Sequence, residues 1–187
     1  MAERKKICVF CSSNDALDQT HRAAARLLGR LIGEAGFDLI WGGCDIASMG
    51  DVARGVQEAR GQAIGVITQY FVDRGLAFRA ADELILAPDL HERKKLMQQR
   101  ADGFIILPGG FGTLDELFHV FTEQIIRMKA GKSTQPIVIL NWASFFDGLG
   151  SFFEHLYREK VADESYRTLY YLADSPDSAV GYLRQSL

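Results

Sequence analysis

The segment from Leu107 to Glu116, LPGGFGTLDE, has the residue types and spacing of a phosphate-binding turn that carries an acid. Three glycines in it allow backbone N–H groups to approach an anion without intervening Cβ atoms: Gly109, Gly110 and Gly112. We expect a helix to begin near Thr113, so that the positive end of its dipole faces the same anion. Glu116 lies four residues after Gly112 and is therefore expected within one helical turn of the bound group. Because a carboxylate repels a phosphate, its presence indicates a chemical role on a neighbouring part of the ligand.

A simpler interpretation of the same segment is a tight turn in which Asp115 and Glu116 only complement the helix dipole. The pattern G-x-x-x-x-G-K-[ST] of nucleoside-triphosphate loops is absent, so the sequence does not predict triphosphate chemistry with magnesium. Gly110-Phe111-Gly112 has the spacing to begin a dinucleotide fingerprint, G-x-G-x-x-G, but position 115 is Asp. Hydride transfer with a nicotinamide cofactor is therefore disfavoured.

A basic run, His91-Glu92-Arg93-Lys94-Lys95, follows the apolar run at 83–87 and is predicted to lie on the next helix. The forked guanidinium of Arg93 suits phosphate or ribose oxygens, and Lys94 adds a second, compact positive charge. A basic helical run by itself is more often a solvated face. Its pairing with the glycine segment at the same edge of the predicted sheet favours a binding role.

Apolar runs and helical periodicity alternate along the chain in a pattern that brings these segments together. Strands are predicted at 7–10, 37–41, 63–67, 83–87, 103–107 and 136–140, and helices at 18–34, 47–59, 89–100 and 113–129. Beyond them we expect a helix, a short strand and a helix at 144–157, 168–172 and 176–187. This order predicts an α/β fold, a doubly wound, mostly parallel sheet with helices on both faces. We expect residues 1–187 to form a single Rossmann-like nucleotide-binding domain.

Ligands of such folds bind outside the carboxyl ends of the strands, and two glycine turns fall there, after Trp41 and after Leu107. The first of these turns, WGGCDIASMG from Trp41 to Gly50, has a Gly-Gly pair that is a weak signal by itself. We expect it to line the same crevice as the second. The ambiguous segment at 68–81 is either a lid over this crevice or a plain surface loop.

The composition is that of an ordinary folded chain, with 187 residues, 48% hydrophobic and 24% charged. A net charge of −3 gives no general attraction to nucleic acid, so we expect a small ligand and no nucleic-acid partner. No run approaches the roughly 20 apolar residues of a membrane helix. The charged leader from Met1 to Lys6 precedes a short strand rather than a signal-peptide core. We therefore expect a cytoplasmic protein without a membrane partner.

The cysteines and histidines do not indicate a cofactor. Cys8 and Cys11 form a C-x-x-C inside or just after a strand, where a thioredoxin-type pair would instead begin a helix. A redox role is one interpretation, and burial as small hydrophobic residues is the simpler one. The four histidines are far apart in the sequence: His21, His91, His119 and His155. We therefore expect no metal and no other cofactor.

Together these segments resemble the LOG ("Lonely guy") family of cytokinin riboside 5′-monophosphate phosphoribohydrolases, many of which have been labelled lysine decarboxylase-like. The family pattern P-G-G-x-G-T-x-x-E matches 108–116, and its H-x-R-K matches 91–94. Its C-V-F-C-G-S-S is similar to the segment from Cys8 to Ser13. Order and spacing agree over roughly residues 7 to 145. The decarboxylase label has no support here, because no lysine has a setting typical of a cofactor Schiff base.

The resemblance implies hydrolysis of the N-glycosidic bond of a nucleoside 5′-monophosphate, either a cytokinin riboside monophosphate or AMP. Such a bond breaks through an oxocarbenium-like sugar, which requires a phosphate anchor, a carboxylate near the ribose and a positioned water. By resemblance, Glu116 and Arg93 form the catalytic pair. The implied substrate-binding residues are Gly109, Gly110, Gly112 and Thr113 at the phosphate, with Lys94, Glu83 and Thr122 at further ligand-contacting positions.

The chain departs from the family pattern at two turns. The family commonly has G-G-G-x-x-G-L-M-G where this chain has GGCDIASMG at 42–50, and C-G-S-S where this chain has Cys11-Ser12-Ser13. Both changes are expected to add side chains to the crevice. A third departure follows Thr122, where T-W-A-Q gives way to Glu123-Gln124. These differences bear on the identity of the base more than on the reaction.

Two other functions share most of these residues. A carrier of the same fold would hold a phosphorylated ligand without turning it over, but an acid beside a phosphate is of no use to it. A transferase would pass the ribosyl group to an acceptor other than water.

We also expect a homodimer, as in the family, because the helix from Thr113 has more apolar surface than one sheet face buries. Its apolar residues are Leu117, Phe118, Val120, Phe121, Ile125 and Ile126.

Overall fold

Strands and helices alternate through residues 4–187, the part of the chain that this computed structural model describes; Met1 to Glu3 of the charged leader lie outside it. The strands are β1 (Lys6–Phe10), β2 (Asp38–Trp41), β3 (Ala63–Thr68), β4 (Glu83–Ala87), β5 (Gly103–Ile106), β6 (Ile137–Leu140) and β7 (Tyr170–Ala173). The α-helices are α1 (Gln19–Glu34), α2 (Ala47–Glu58), α3 (Gln69–Asp73), α4 (Leu90–Arg100), α5 (Phe111–Lys129), α6 (Asp147–Arg158) and α7 (Pro176–Ser186). Short 3-10 helices lie at Trp142–Ser144 and Glu164–Leu169.

The seven strands form one sheet in the order β4-β3-β2-β1-β5-β6-β7, and every neighbouring pair is parallel. The chain builds outward from β1 to β4, returns, and then builds outward on the other side from β5 to β7. The direction of winding therefore reverses between β1 and β5, where the connections leaving the two strands diverge and open a crevice. The predicted parallel, doubly wound α/β fold is confirmed.

The central strands are buried on both faces, which is why they appear in the sequence as continuous apolar runs. Along β1, Ile7 and Val9 pack into the layer of α1, α2 and α7. Cys8 and Phe10 face the opposite layer of α4, α5 and α6. The sheet is thus covered by helices on both sides. Among residues 4–187 no helix has both the length and the apolar character needed to cross a bilayer.

Capping side chains determine where several helices begin. Asp18 accepts a hydrogen bond from the Thr20 N–H at the start of α1, and Asp89 accepts one from the Glu92 N–H at the start of α4. Each satisfies an N–H group that has no acceptor within its helix. The start of α5 differs, because its N-cap is Gly110, which offers no side chain.

The segment at 68–81 is neither a detached lid nor a plain loop. It contains α3, and it is hydrogen-bonded to the second glycine turn, with the Asp45 N–H donating to the Leu76 carbonyl at 2.7 Å. The Phe78 N–H donates to the Gly43 carbonyl at 2.9 Å, and the buried Phe78 ring packs edge-on against Trp41. The segment therefore forms a fixed wall beside the crevice.

Candidate active site

A cavity of about 340 Å³ opens where the chain leaves β1 and β5 at the carboxyl edge of the sheet. Its walls come from the turns after β1 and β2, from α3 and α4, and from the first two turns of α5. Both glycine turns singled out in the sequence therefore meet here, as the topology predicts.

The start of α5 presents free backbone N–H groups to this cavity. The helix begins at Phe111, two residues earlier than expected, and its first intrahelical bond runs from the Leu114 N–H to the Gly110 carbonyl at 3.1 Å. A Cβ at Gly110 or Gly112 would meet no atom within 4 Å, so the space beside the backbone is open to a ligand. Because the helix begins early, the two acids lie in its second turn rather than its first.

Gly109 has a different role from the other two glycines. A Cβ at this position would lie 2.2 Å from Oγ1 of Thr113, which is itself buried in the first turn of α5. Gly109 therefore allows the Thr113 side chain to pack against the loop that precedes the helix. None of the three glycines has a positive φ. Close approach of a side chain explains Gly109, whereas Gly110 and Gly112 leave the backbone open to the cavity.

Arg93 and Glu116 form a buried ion pair at the base of the cavity. Nη1 of Arg93 donates to Oε1 of Glu116 at 3.0 Å, and the two side chains are only 10% and 13% exposed. Nε of Arg93 donates to the Val66 carbonyl at 2.8 Å, which fixes the plane of the guanidinium. Burial raises the pKa of Glu116, although the charge and hydrogen bond of Arg93 act in the opposite direction. A buried, pKa-shifted carboxyl beside a fixed cation is typical of a catalytic acid or base.

Lys94 and Asp115 form a second ion pair nearer the mouth. Nζ of Lys94 lies 3.0 Å and 2.8 Å from the two carboxylate oxygens of Asp115. The Lys94 side chain is 18% exposed, whereas Asp115 is 62% exposed. Both line the same cavity as the uncapped start of α5.

Two residues expected at the ligand lie elsewhere. Glu83 begins β4 at the opposite, amino-terminal edge of the sheet, where its carboxylate is 3.1 Å from Nη1 of Arg100. The spacing of ten residues from Glu83 to Arg93 spans the whole of β4, which carries the chain from one edge of the sheet to the other. Thr122 is exposed on α5, six residues beyond Glu116, and does not line the cavity. Neither residue lines the cavity of the single chain, and their contact with the ligand stays a prediction.

The departures from the family pattern do bring side chains to the crevice. In the turn after β1 these side chains accept hydrogen bonds from backbone N–H groups of the same turn. Oγ of Ser12 accepts from the Asn14 N–H at 3.1 Å, and Oδ1 of Asn14 accepts from the Ala16 N–H at 3.0 Å. Cys44 also lines the cavity. The first turn is thus stiffened by its own side chains.

The second turn contains a residue in the left-handed backbone region. Ala47, where the family commonly has glycine, has φ 44°, and its N–H donates to Oδ1 of Asp15 at 3.1 Å. Asp15 therefore links the turn after β1 to the start of α2. Sequence reasoning did not identify Asp15. It included the cavity-lining Met49 and Phe71 only as members of the segments at 41–50 and 68–81 and did not single them out. No local motif distinguishes these residues, because their positions depend on how separate turns pack.

The cysteines and histidines lie in different settings. Cys8, Cys11 and Cys44 are free and buried, and desolvation is the largest cause that raises the pKa of each thiol. This environment favours the interpretation of the cysteines as small hydrophobic residues over a reactive redox pair.

His91 and His119, distant in sequence, line one groove between α4 and α5. Within residues 4–187, no three side chains form a group with metal-binding potential.

Comparison with known proteins finds one matching family model and relatives that share one enzyme name. Residues 49–183 match a family model described as "Possible lysine decarboxylase". The cytokinin riboside 5′-monophosphate phosphoribohydrolase of Mycobacterium tuberculosis is 39% identical over 143 residues, which cover 76% of this chain and 74% of that protein. The enzyme LOG2 of Arabidopsis thaliana is 33% identical over 162 residues, 87% of this chain and 72% of that one. Among solved structures, the molybdenum cofactor binding protein from Rippkaea orientalis aligns with a TM-score of 0.75 at 20% identity, covering 100% and 99% of the two chains.

Proposed function

The chain belongs to the LOG family of cytokinin riboside 5′-monophosphate phosphoribohydrolases, and we propose that it hydrolyses the N-glycosidic bond of a nucleoside 5′-monophosphate. The substrate is a cytokinin riboside monophosphate or AMP, and the products are the free base and ribose 5-phosphate. The observation that carries this proposal is the buried Arg93–Glu116 pair beside the uncapped start of α5. A phosphate anchor and a poised carboxyl are thereby held one helical turn apart.

In this proposal the 5′-phosphate binds the free N–H groups at the start of α5. The proposed contacts are Gly109, Gly110, Gly112 and Thr113, at the positive end of the helix dipole. The backbone is open beside Gly110 and Gly112, whereas the space beside Gly109 is taken by the Thr113 side chain. Lys94 lines the same cavity and is a further proposed contact of the ligand, with its charge balanced by Asp115. The binding energy of this remote group orients the ribose so that its anomeric carbon faces Glu116.

The proposed chemistry then takes place at Glu116. The bond between C1′ and the base nitrogen breaks with its electron pair on the base, and the sugar becomes oxocarbenium-like. The carboxylate of Glu116 stabilises this positive charge and accepts a proton from the attacking water. That proton ends on the base nitrogen, while the water oxygen bonds to C1′. Arg93 holds Glu116 in position through its 3.0 Å hydrogen bond.

Purified protein incubated with AMP and with an N6-prenylated analogue, without added metal, tests this function directly. Chromatography should detect free base and ribose 5-phosphate in equal amounts. Glu116→Gln should abolish release while retaining binding, and Glu34→Gln, exposed on α1 and outside the cavity, serves as the matched control. Unchanged turnover in Glu116→Gln would contradict the mechanism.

The two alternative functions predict different products. A carrier would bind the nucleotide without releasing base; the likeness to the molybdenum cofactor binding protein, at 20% identity, extends to the fold alone. A transferase would form a ribosylated acceptor in place of ribose 5-phosphate. A lysine decarboxylase finds no support, because Nζ of the cavity-lining Lys94 is held between both oxygens of Asp115.

We further propose a cytoplasmic homodimer in which residues 1–187 form one domain. Of the six apolar residues singled out on α5, Leu117 and Val120 are buried in the core of the chain itself. Phe118 and Ile126 remain exposed on one helix face. Exposed apolar side chains of this kind support a dimer in which a second copy covers them. Sedimentation at micromolar concentration checks the proposal, and a species of 20.8 kDa would contradict it.

A further inference from the structure

We propose that Asp115 makes this cavity selective for monophosphates by repelling ligands that carry a second phosphoryl group. The proposal rests on the function above, since it concerns the specificity of the same site. It assigns a role to the one acid of the cavity's α5 wall that the proposed chemistry does not use.

The two acids of α5 flank its uncapped start on different sides. Asp115 follows Phe111 by four residues, and Glu116 follows Gly112 by four, so each lies one turn beyond the anion-binding backbone. Side chains on a helix also lean toward its N-terminus, which brings both carboxylates closer to the bound anion. Glu116 points inward to Arg93, whereas Asp115 is 62% exposed at the mouth.

The charged side chains lining the cavity cancel in pairs. Arg93 is paired with Glu116, and Lys94 is paired with Asp115. The remaining attraction for an anion comes from the start of α5, which is equivalent to roughly half a positive charge. This arrangement suits one phosphate group, and among the described residues that line the cavity it leaves no uncompensated side-chain cation for a second.

The orientation needed for reaction directs any further phosphoryl group toward Asp115. In a bound 5′-monophosphate the bridging oxygen leads to the ribose, which lies on the side of Glu116. In this proposal part of the phosphate is held by the N–H groups of α5, and an oxygen without such a contact is directed to the mouth, where Asp115 lies. A diphosphate adds negative charge at this point, and Lys94 can compensate for it only by leaving its two contacts with Asp115.

Calorimetric titration with AMP, ADP and ATP in EDTA, on wild type and Asp115→Asn, tests the proposal. The wild type should bind ADP at least about tenfold more weakly than AMP, and Asp115→Asn should reduce that ratio at least about fivefold. The carboxylate-retaining Asp115→Glu should keep the wild-type ratio, and Glu34→Gln, exposed on α1 and outside the cavity, is the control. The effect of Asp115→Asn should shrink in 0.5 M salt, because the mouth is exposed and screened.

An ADP-to-AMP ratio that is the same in wild type and Asp115→Asn would overturn the proposal. So would equal loss of discrimination in Asp115→Glu, which would indicate packing rather than charge. Titrations repeated in the Glu116→Gln background, where no nucleotide is consumed, separate binding from turnover, so the two ideas fail separately. A charge-dependent ratio without base release would refute the hydrolase but retain the selectivity, and base release with an unaltered ratio would do the reverse.

Discussion

The guanidinium of Arg93 lies so close to Gly42 that a Cβ at position 42 would stand 1.9 Å from Nη2. The second glycine turn is therefore built around the arginine that holds Glu116. Arg93 cannot move aside freely, because Nε is bonded to the Val66 carbonyl and Nη1 to Glu116. The weakest of the glycine signals in the sequence thus occupies one of the most constrained positions of the site.

Gly42→Ala should lower kcat/KM at least tenfold, because the added methyl displaces Arg93 from Glu116; tenfold corresponds to about 1.4 kcal/mol of transition-state stabilisation. Steady-state assay of base release measures the loss. Gly148→Ala, at an α6 position where a Cβ meets no atom within 4 Å, should leave kcat/KM within twofold, about 0.4 kcal/mol. Full activity in Gly42→Ala would show that the position of Arg93 is unimportant.

Arg93→Lys should reduce kcat by about 100-fold or more, roughly 2.7 kcal/mol. A lysine retains the charge, but a single ammonium does not reproduce the planar fork that reaches both Val66 and Glu116. Single-turnover measurement at saturating nucleotide isolates the chemical step from binding. Lys95→Arg, on the exposed side of the same helix, is the matched control. A wild-type kcat in Arg93→Lys would show that a positive charge at position 93 is sufficient and that the planar guanidinium is not required.

The pH profile of kcat/KM should have an acid limb above the ordinary glutamate value of 4.5. Burial raises the pKa of Glu116, so its carboxylate form is lost earlier as the pH falls. The proposed proton acceptor is the carboxylate, and activity should therefore decline on acidification through the raised pKa. Initial rates measured across the acid range check whether kcat/KM falls on acidification as expected. A limb at or below 4.5 would contradict the assignment of Glu116 as that group.

Ala47→Gly should increase the free energy of unfolding by up to about 1 kcal/mol, because glycine adopts a φ of 44° without the clash of a Cβ. Urea denaturation measures the change. The matched control is Ala53→Gly, in the interior of the same helix, which should instead destabilise by roughly 1 kcal/mol. Destabilisation of similar size in both variants would mean that the backbone at Ala47 carries no strain.

The fold was predictable because its signals are local. Continuous apolar runs identify strands that are covered on both faces. In β1, the side chains from Ile7 to Phe10 alternate between the two helix layers. The start of α5 was misplaced by two residues, since Gly110 offers no side-chain cap to mark it. Glu83 and Thr122 lie outside the cavity of the single chain, which the sequence did not indicate, because spacing along the chain does not reveal which edge of the sheet or which helix face a residue occupies.

By itself the sequence determined the alternating elements, the parallel sheet and the glycine turn before α5, because periodicity and the absence of a Cβ are properties of neighbouring residues. Only the tertiary structure decided that Arg93 reaches Glu116, that Gly42 must leave room for it, and that Asp115 stays at the mouth. These relationships join residues from separate strands and helices. Burial, which raises the pKa of Glu116, likewise arises only after the chain has excluded water from the crevice.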